Sequence, residues 1–228
     1  DYIKDLTANT YTFTYKVKNE CGLTESKNFE FVVNAKPVIP NIADVTLCYG
    51  ETKVITANIT ANTYSWKKAG ETYGDNSASM TTADEHGVVE YSLTVTDANN
   101  CTSEPETFTV TQPASELTVV KSEISPSVYG LSDGSYSITI NGGYGDYKYC
   151  EKTSESAYCT PDAVVPVTGA ESKISVSDVA AGNYYYTIVD KHGCEIPVTV
   201  TIPNPDEPNV DWNITDALCN GVDTNDPA

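Results

Sequence analysis

One pattern occurs three times in this chain and constrains its fold more than any other feature. An alternating run leads into a polar turn and a cysteine at Phe13-Thr-Tyr15-Lys-Val17-Lys-Asn19-Glu-Cys21, at Tyr91-Ser-Leu93-Thr-Val95-Thr-Asp97-Ala-Asn-Asn-Cys101, and at Tyr184-Tyr-Tyr186-Thr-Ile188-Val-Asp190-Lys-His-Gly-Cys194. Alternation at every second residue places one set of side chains on one face of a strand and the rest on the other. A second alternating run follows each cysteine: Phe29-Glu-Phe31-Val-Val33, Phe108-Thr-Val110 and Val198-Thr-Val200-Thr-Ile202, ending near Pro37, Pro113 and Pro203. Two strands joined by a short polar turn and stopped by proline predict a β-hairpin, here the closing hairpin of a β module. Aligned on the cysteines, the first copy has a turn two residues shorter than the others.

A second element recurs upstream of the hairpins, in Leu47-Cys48-Tyr49-Gly50, Ser127-Val128-Tyr129-Gly130 and Leu218-Cys219-Asn220-Gly221. The spacing of the two elements predicts the last strands of one module in residues 1–37, whole modules at 38–114 and 115–205, and the opening of a further module at 206–228. The chain therefore reads as a piece of a longer array. Composition agrees with strands: 23 Val, 29 Thr and 16 Tyr stand against 7 Leu and 1 Met, and β-branched and aromatic side chains suit a pleated, half-buried surface. Each whole module has room for about seven short strands separated by Gly, Asn, Asp and Pro turns, which predicts an all-β chain of tandem immunoglobulin-like, PKD-like β-sandwiches. Short proline-bearing linkers predict an extended array.

Charge narrows the function. With 13 Lys+Arg against 32 Asp+Glu the formal charge is −19, so the chain repels phosphate backbones and argues against a nucleic-acid partner. No stretch reaches the roughly 18 consecutive apolar residues of a membrane-spanning helix, and no membrane insertion by this segment is expected.

Seven cysteines in an acidic β chain fit disulfides in an oxidising compartment. Cys48 opens the second module and Cys101 follows its penultimate strand, which predicts a Cys48–Cys101 bridge with Trp66 between the two. Cys21 and Cys219 then have partners outside the sequence. In the third module Val128 replaces the opening cysteine, and Cys150 and Cys159 flank a short polar segment that reads as a stapled hairpin extension. Cys194 is left free in that scheme, with a bridge from Cys194 to Cys150 or Cys159 as the rival. Zinc is disfavoured, because the spacings do not match paired ligands and His86 and His192 fall in separate turns.

Catalytic patterns do not survive their context. Gly130-Leu-Ser132-Asp-Gly134 matches a nucleophile elbow, which needs a strand before it and a helix after it, yet an alternating run follows. The acids alternate outward on strands or occupy turns rather than facing one another as a hydrolytic pair. No catalytic, cofactor-binding or metal residue is therefore assigned. Calcium at module junctions is the one cofactor reading with candidate ligands, in Asp97, Asn99, Asp190 and Asp223-Thr-Asn225-Asp226, although no dense ligand loop is present. Tyr64, Trp66, Tyr91, Tyr147, Tyr149, Tyr184 and Tyr186 read as core or cross-strand aromatics rather than a sugar-stacking face. Asn58, Asn100 and Asn213 head N-glycosylation patterns.

The third module resembles the SprB-type repeat of Bacteroidetes surface adhesins. The resemblance rests on Tyr129-Gly130-Leu-Ser-Asp133-Gly134-Ser-Tyr-Ser-Ile, Asn141-Gly142-Gly143-Tyr-Gly-Asp-Tyr147-Lys-Tyr149, Ala181-Gly182-Asn-Tyr184-Tyr-Tyr186-Thr-Ile and Asp190-Lys-His-Gly193-Cys194. The family pattern has an opening cysteine where Val128 stands, and Cys219-Asn220-Gly221 resembles the start of another repeat. The second module, with Cys48, Trp66 and Thr96-Asp97-Ala-Asn-Asn-Cys101, is similar to the PKD-like or immunoglobulin-like domains found beside such repeats. The resemblance implies a non-catalytic segment of a large secreted cell-surface adhesin of the gliding-motility type, exported by the type IX route. Neighbouring modules of the same chain and surface glycans or other cells are the partners it implies. The alternative is a set of accessory, glycan-binding modules of a secreted hydrolase.

Overall fold

The computed structural model describes residues 6–159, 165–167 and 172–210. These residues form sixteen strands and no helix, and the fold is all-β, with immunoglobulin-like sandwiches in tandem.

The first two strands, β1 (Asn9–Lys18) and β2 (Thr24–Val33), form an antiparallel hairpin with Phe13 opposite Phe29 and Tyr11 opposite Phe31. Alternation gathers Tyr11, Phe13, Phe29 and Phe31 on one face, where Phe31 lies 5.2 Å from Phe13 and 5.5 Å from Tyr11, ring to ring. The opposite face carries Thr12, Thr14, Asn28 and Glu30, with the Thr14 hydroxyl donating to Asn28. No second sheet covers the aromatic face among the described residues, and Phe29 stays 62% exposed.

The first sandwich has a five-stranded sheet in the order β3 (Val45–Thr46), β9 (Glu106–Gln112), β8 (Gly87–Thr96), β5 (Thr63–Lys68) and β6 (Glu71–Thr72). A second sheet pairs β4 (Val54–Thr56) with β7 (Ser79–Thr81). Every pairing is antiparallel except β3 beside β9. Ile55 and Met80 from the small sheet meet Trp66, Tyr91, Leu93, Val95, Phe108 and Val110 from the large one in a single core. Trp66 sits edge-on to Phe108, and its indole N–H donates to the carbonyl of Ser77 at 2.9 Å, which satisfies the polar end of an otherwise buried ring.

The second sandwich faces a sheet of β10 (Thr118–Ile124), β11 (Gly134–Asn141) and β14 (Lys173–Val179) against one of β13 (Val165–Pro166), β12 (Lys148–Lys152), β15 (Gly182–Val189) and β16 (Glu195–Ile202). Strand β11 alternates buried and half-buried residues along its length, so Tyr136, Ile138 and Ile140 enter the core and meet Tyr186, Ile188, Val198, Val200 and Ile202. The hydroxyls of Tyr136 and Tyr186 share a hydrogen bond inside it. A turn closed by the Leu131 amide on the Val128 carbonyl leads through Ser132 and Asp133 into β11 at Gly134, and the Asp133 carboxylate accepts the Ser127 amide there. The Gly-x-Ser-x-Gly segment thus enters a strand.

The hairpins align differently from the cysteine-based alignment. In all three, the first turn residue (Asn19, Asp97 or Asp190) accepts on its side chain the amide of the fifth residue, at 2.9, 2.9 and 3.0 Å. The first residue's own amide donates to the fifth residue's carbonyl, and the fourth residue takes a positive φ at Gly22, Asn100 and Gly193. The fifth residue is Leu23, Cys101 or Cys194. The three turns are therefore equal in length, Leu23 occupies the cysteine position of the first copy, and Cys21 lies two residues earlier on the exposed tip. The side-chain oxygen of Asn or Asp dictates this geometry, which is why the turn, not the cysteine, is the invariant of the repeat.

Candidate functional site

Each sandwich has two poles, and the strand directions assign them. The β8–β9 turn at Asp97–Cys101 lies at the pole where the chain enters the first sandwich, since Ile42 donates its amide to Glu106 and Lys36 pairs with Glu104. The opening loop Cys48–Glu51 lies at the opposite pole, beside the end of β9, because the Leu47 amide donates to the Thr111 carbonyl. That loop is closed by the Glu51 amide on the Cys48 carbonyl and by the Glu51 carboxylate accepting the Cys48 amide at 3.0 Å. Gly50, at φ +75°, supplies the left-handed residue the loop requires.

The β15–β16 turn of the second sandwich meets this loop. Cys48 is bonded to Cys194, with 5.6 Å between their Cα atoms and 146 residues of separation. The expected Cys48–Cys101 bridge is not formed: the two residues belong to opposite poles of one sandwich, and Cys101 is a free, half-buried thiol. A disulfide needs Cα atoms within about 7 Å. Cys150, in the middle of β12, is bonded to Cys159, nine positions further on and past the end of that strand. Cys194 takes neither of the positions first considered for it, free or joined to Cys150 or Cys159.

Around the disulfide, polar groups converge. The loop after β11 bears Tyr144, whose hydroxyl lies 2.9 Å from the carbonyl oxygens of both Leu47 and Thr111 in the other sandwich and donates its proton there. Its amide donates to the Asp190 carboxylate at 2.9 Å, and its ring meets His192 edge-on at 4.3 Å. Asp190 is only 3% exposed. One of its oxygens accepts the amides of His192 and Cys194, and the other that of Tyr144, so a single carboxylate holds both the cysteine turn and the tyrosine loop. Burial, followed by the nearby Asp190 charge, pushes the Tyr144 hydroxyl above its ordinary pKa.

Two glycines let the tyrosine loop approach. A Cβ on Gly142 would stand 1.8 Å from the Glu116 carbonyl oxygen, and one on Gly143 would stand 2.8 Å from the Asp190 carboxylate. The Gly143 amide also donates to the Ser115 carbonyl of the linker. A cleft of about 430 Å³ opens beside the disulfide, lined by Tyr49, Glu51, Glu116, Leu117 and Glu195 among others. Its rim is acidic and its walls come from both sandwiches and the linker.

The other sequence candidates have structural duties. Asp97 accepts the amides of Asn99 and Cys101, and Asp190 is committed to three amides. Among the described residues no group of three or more His, Cys, Asp or Glu gathers to hold a metal. Asn213, Cys219 and Asp223–Asp226 lie outside the described residues. Trp66, Tyr91 and Tyr186 are buried core, while Tyr64, Tyr149 and Tyr184 pack half-buried against it. His86 stacks on Tyr49 with 4.2 Å between ring centres, at the pole that bears the disulfide. Tyr144 was not singled out from sequence, and the only signal there was its place in Asn141-Gly142-Gly143-Tyr144, a glycine pair just ahead of an aromatic residue.

Two sandwiches joined by a short linker and a cross-linked joint have relatives among known folds. No family model and no curated protein matches the chain. Solved structures do. The N-terminal eight immunoglobulin domains of Down syndrome cell adhesion molecule align over 86% of this chain and 31% of theirs, at 11% identity and a TM-score of 0.50. The FN1–FN3 domains of chicken CNTN1 align over 86% of this chain and 76% of theirs, at 15% identity and a TM-score of 0.33. The C-terminal 282-residue fragment of intimin, solved with the intimin-binding domain of its translocated receptor, aligns over 86% of this chain and 58% of its own, at 16% identity and a TM-score of 0.34. The chain thus spans about a third of the first of these. At such identities the likeness concerns the fold, which is immunoglobulin-like.

Proposed function

We propose that this chain is a non-catalytic segment of a large secreted cell-surface adhesin, in which tandem sandwiches act as rod-like spacer and adhesion repeats. The observation that carries this reading is the bond between Cys48 and Cys194. Force applied to the two ends of the tandem pair enters along residues 38–48, crosses the disulfide and leaves along residues 194–205. The residues between the cysteines, which include most of both cores, are bypassed and cannot be extended. A cross-link placed there serves a chain that is pulled. The two disulfides support an extracellular location, since such bonds persist in oxidising compartments. The net charge of −19 supports a soluble, well-solvated surface that avoids anionic partners. Export by the type IX route and a part in gliding belong to the same proposal and rest on the sequence resemblance.

The test uses cells that display the parent protein. Replacing both Cys48 and Cys194 by Ser is expected to lower attachment under shear flow while leaving the displayed amount and attachment at rest unchanged. Unchanged attachment under flow, together with lost turnover of a polysaccharide by the parent, would overturn the reading in favour of accessory modules.

A further inference from the structure

Cys101 occupies in the first sandwich the position that Cys194 occupies in the second. Both are fifth in the same hydrogen-bonded turn, behind Asp97 and Asp190, and both have their amide held by that aspartate. Cys194 uses the position to reach back to the opening loop of the preceding sandwich. The opening loops also repeat. The Glu51 amide donates to the Cys48 carbonyl with Gly50 at φ +75°, and the Leu131 amide donates to the Val128 carbonyl with Gly130 at φ +78°, so Val128 stands at the place of Cys48.

The Asp97–Cys101 turn looks toward the β1–β2 hairpin's end of the chain. Lys36, three residues past β2, pairs with Glu104, three residues past Cys101. The end of β2 is also the pole at which a sandwich built on this hairpin carries its opening loop, because Leu47 stands beside Thr111 at the corresponding end of β9. A thiol at Cys101 therefore faces the pole where the equivalent of Cys48 belongs.

We infer that Cys101 forms a disulfide with an opening-loop cysteine of the module to which β1 and β2 belong, contributed by chain preceding Asp1, so that bonds of one kind staple successive modules turn to loop. The inference rests on the tandem-array reading. Positions without a cysteine mark unstapled joints: Leu23 in the turn of the first hairpin, and Val128 in the opening loop of the second sandwich, which leaves that residue 52% exposed. Along the array the order would then be unstapled at Leu23, stapled at Cys101, stapled at Cys48–Cys194 and unstapled at Val128, an order written in the cysteines. In the bond-forming step each sulfur loses a proton and the pair loses two electrons, which pass by thiol–disulfide exchange to the disulfide of an oxidoreductase, itself reduced to the dithiol.

The full natural polypeptide tests this. It is denatured in an alkylating reagent without reductant, digested and mapped by mass spectrometry. The expected result is a Cys101 peptide joined to a cysteine peptide from the preceding module, with Cys48 joined to Cys194 in the same digest. In a Cys101→Ser chain one new maleimide-reactive thiol is expected on that preceding module, and none at Cys48 or Cys194. Alkylated Cys101 beside an intact Cys48–Cys194 bond, or Cys101 joined to Cys21 or to another chain, overturns the inference. So does absence of the Cys48–Cys194 bond. Failure of the adhesion reading would appear in the attachment assay and would leave this linkage map unchanged.

Discussion

Cys48 and Cys194 are joined across the junction of two sandwiches, 146 residues apart in sequence and 5.6 Å apart at Cα. The bond ties the opening loop of one sandwich to the closing-hairpin turn of the next, so neither can rotate away without breaking Tyr144's hold on Leu47 and Thr111 or straining the loop.

Stretching reads this directly. Extended chain covers roughly 3.3–3.6 Å per residue, so the 146-residue separation conceals about 500 Å of contour length. Single-molecule pulling of the oxidised chain is expected to lack that length, and Cys48→Ser or added reductant to restore it. In denaturant, loss of the cross-link is expected to cost up to about 5 kcal/mol by the loop-entropy relation.

Asp190 is the group on which the joint depends. Asp190→Ala strands the amides of Tyr144, His192 and Cys194 in a buried position, and a cost of about 3 kcal/mol or more is expected from unpaired buried donors. Asp97→Ala removes the same turn contacts in a less buried setting and should cost distinctly less. Urea unfolding of the two variants side by side checks the order.

Gly142→Ala is expected to prevent native assembly of the tyrosine loop, since its Cβ would meet backbone at 1.8 Å and its φ is +74°. Gly145→Ala also has a positive φ but meets nothing within 4 Å, so it should cost only about 1 kcal/mol of backbone strain. Soluble yield and thermal unfolding distinguish a collision from strain.

Tyr144→Phe deletes one hydroxyl and nothing else. With the bridge removed in a Cys48→Ser, Cys194→Ser background, it is expected to weaken docking of the sandwiches by about 1 kcal/mol. Nuclear relaxation that reports independent tumbling of the two units would show it.

Alkaline pH is expected to unfold the chain through its buried phenols. Burial raises the pKa of Tyr91, Tyr136, Tyr144, Tyr147 and Tyr186, and for Tyr186 the hydrogen bond with Tyr136 adds to it. A raised folded-state pKa means stability that is fully present below the free tyrosine value of about 10 and lost as pH climbs toward the folded values. Tyrosinate absorbance should therefore rise for this group in step with loss of the β circular-dichroism signal. Ionisation of all sixteen tyrosines before any structural change would contradict the burial.

The alternation of Tyr91-Leu93-Val95 and of Tyr184-Tyr186-Ile188, the Asp-led turns and the proline stops determined by themselves that this chain would form β-hairpins and bury one face of each. That information is local: side-chain direction follows from position along a strand, and the turn from an oxygen four residues before the amide it accepts. The staple between Cys150 and Cys159 was legible for the same reason, since the two lie only nine positions apart. What only the tertiary structure decided was which distant groups meet. Cys101 lies closer to Cys48 in sequence than Cys194 does, yet a sandwich sends its opening loop and its closing turn to opposite poles, and the next module brings its own turn to the near one. Even the equivalence of the first hairpin depended on hydrogen bonds, since Leu23 and not Cys21 fills the fifth place in its turn. Tyr144 and Asp190 gained their roles only when two separately folded surfaces came together, because contact across a junction depends on the direction of whole modules, and no run of neighbouring residues encodes that.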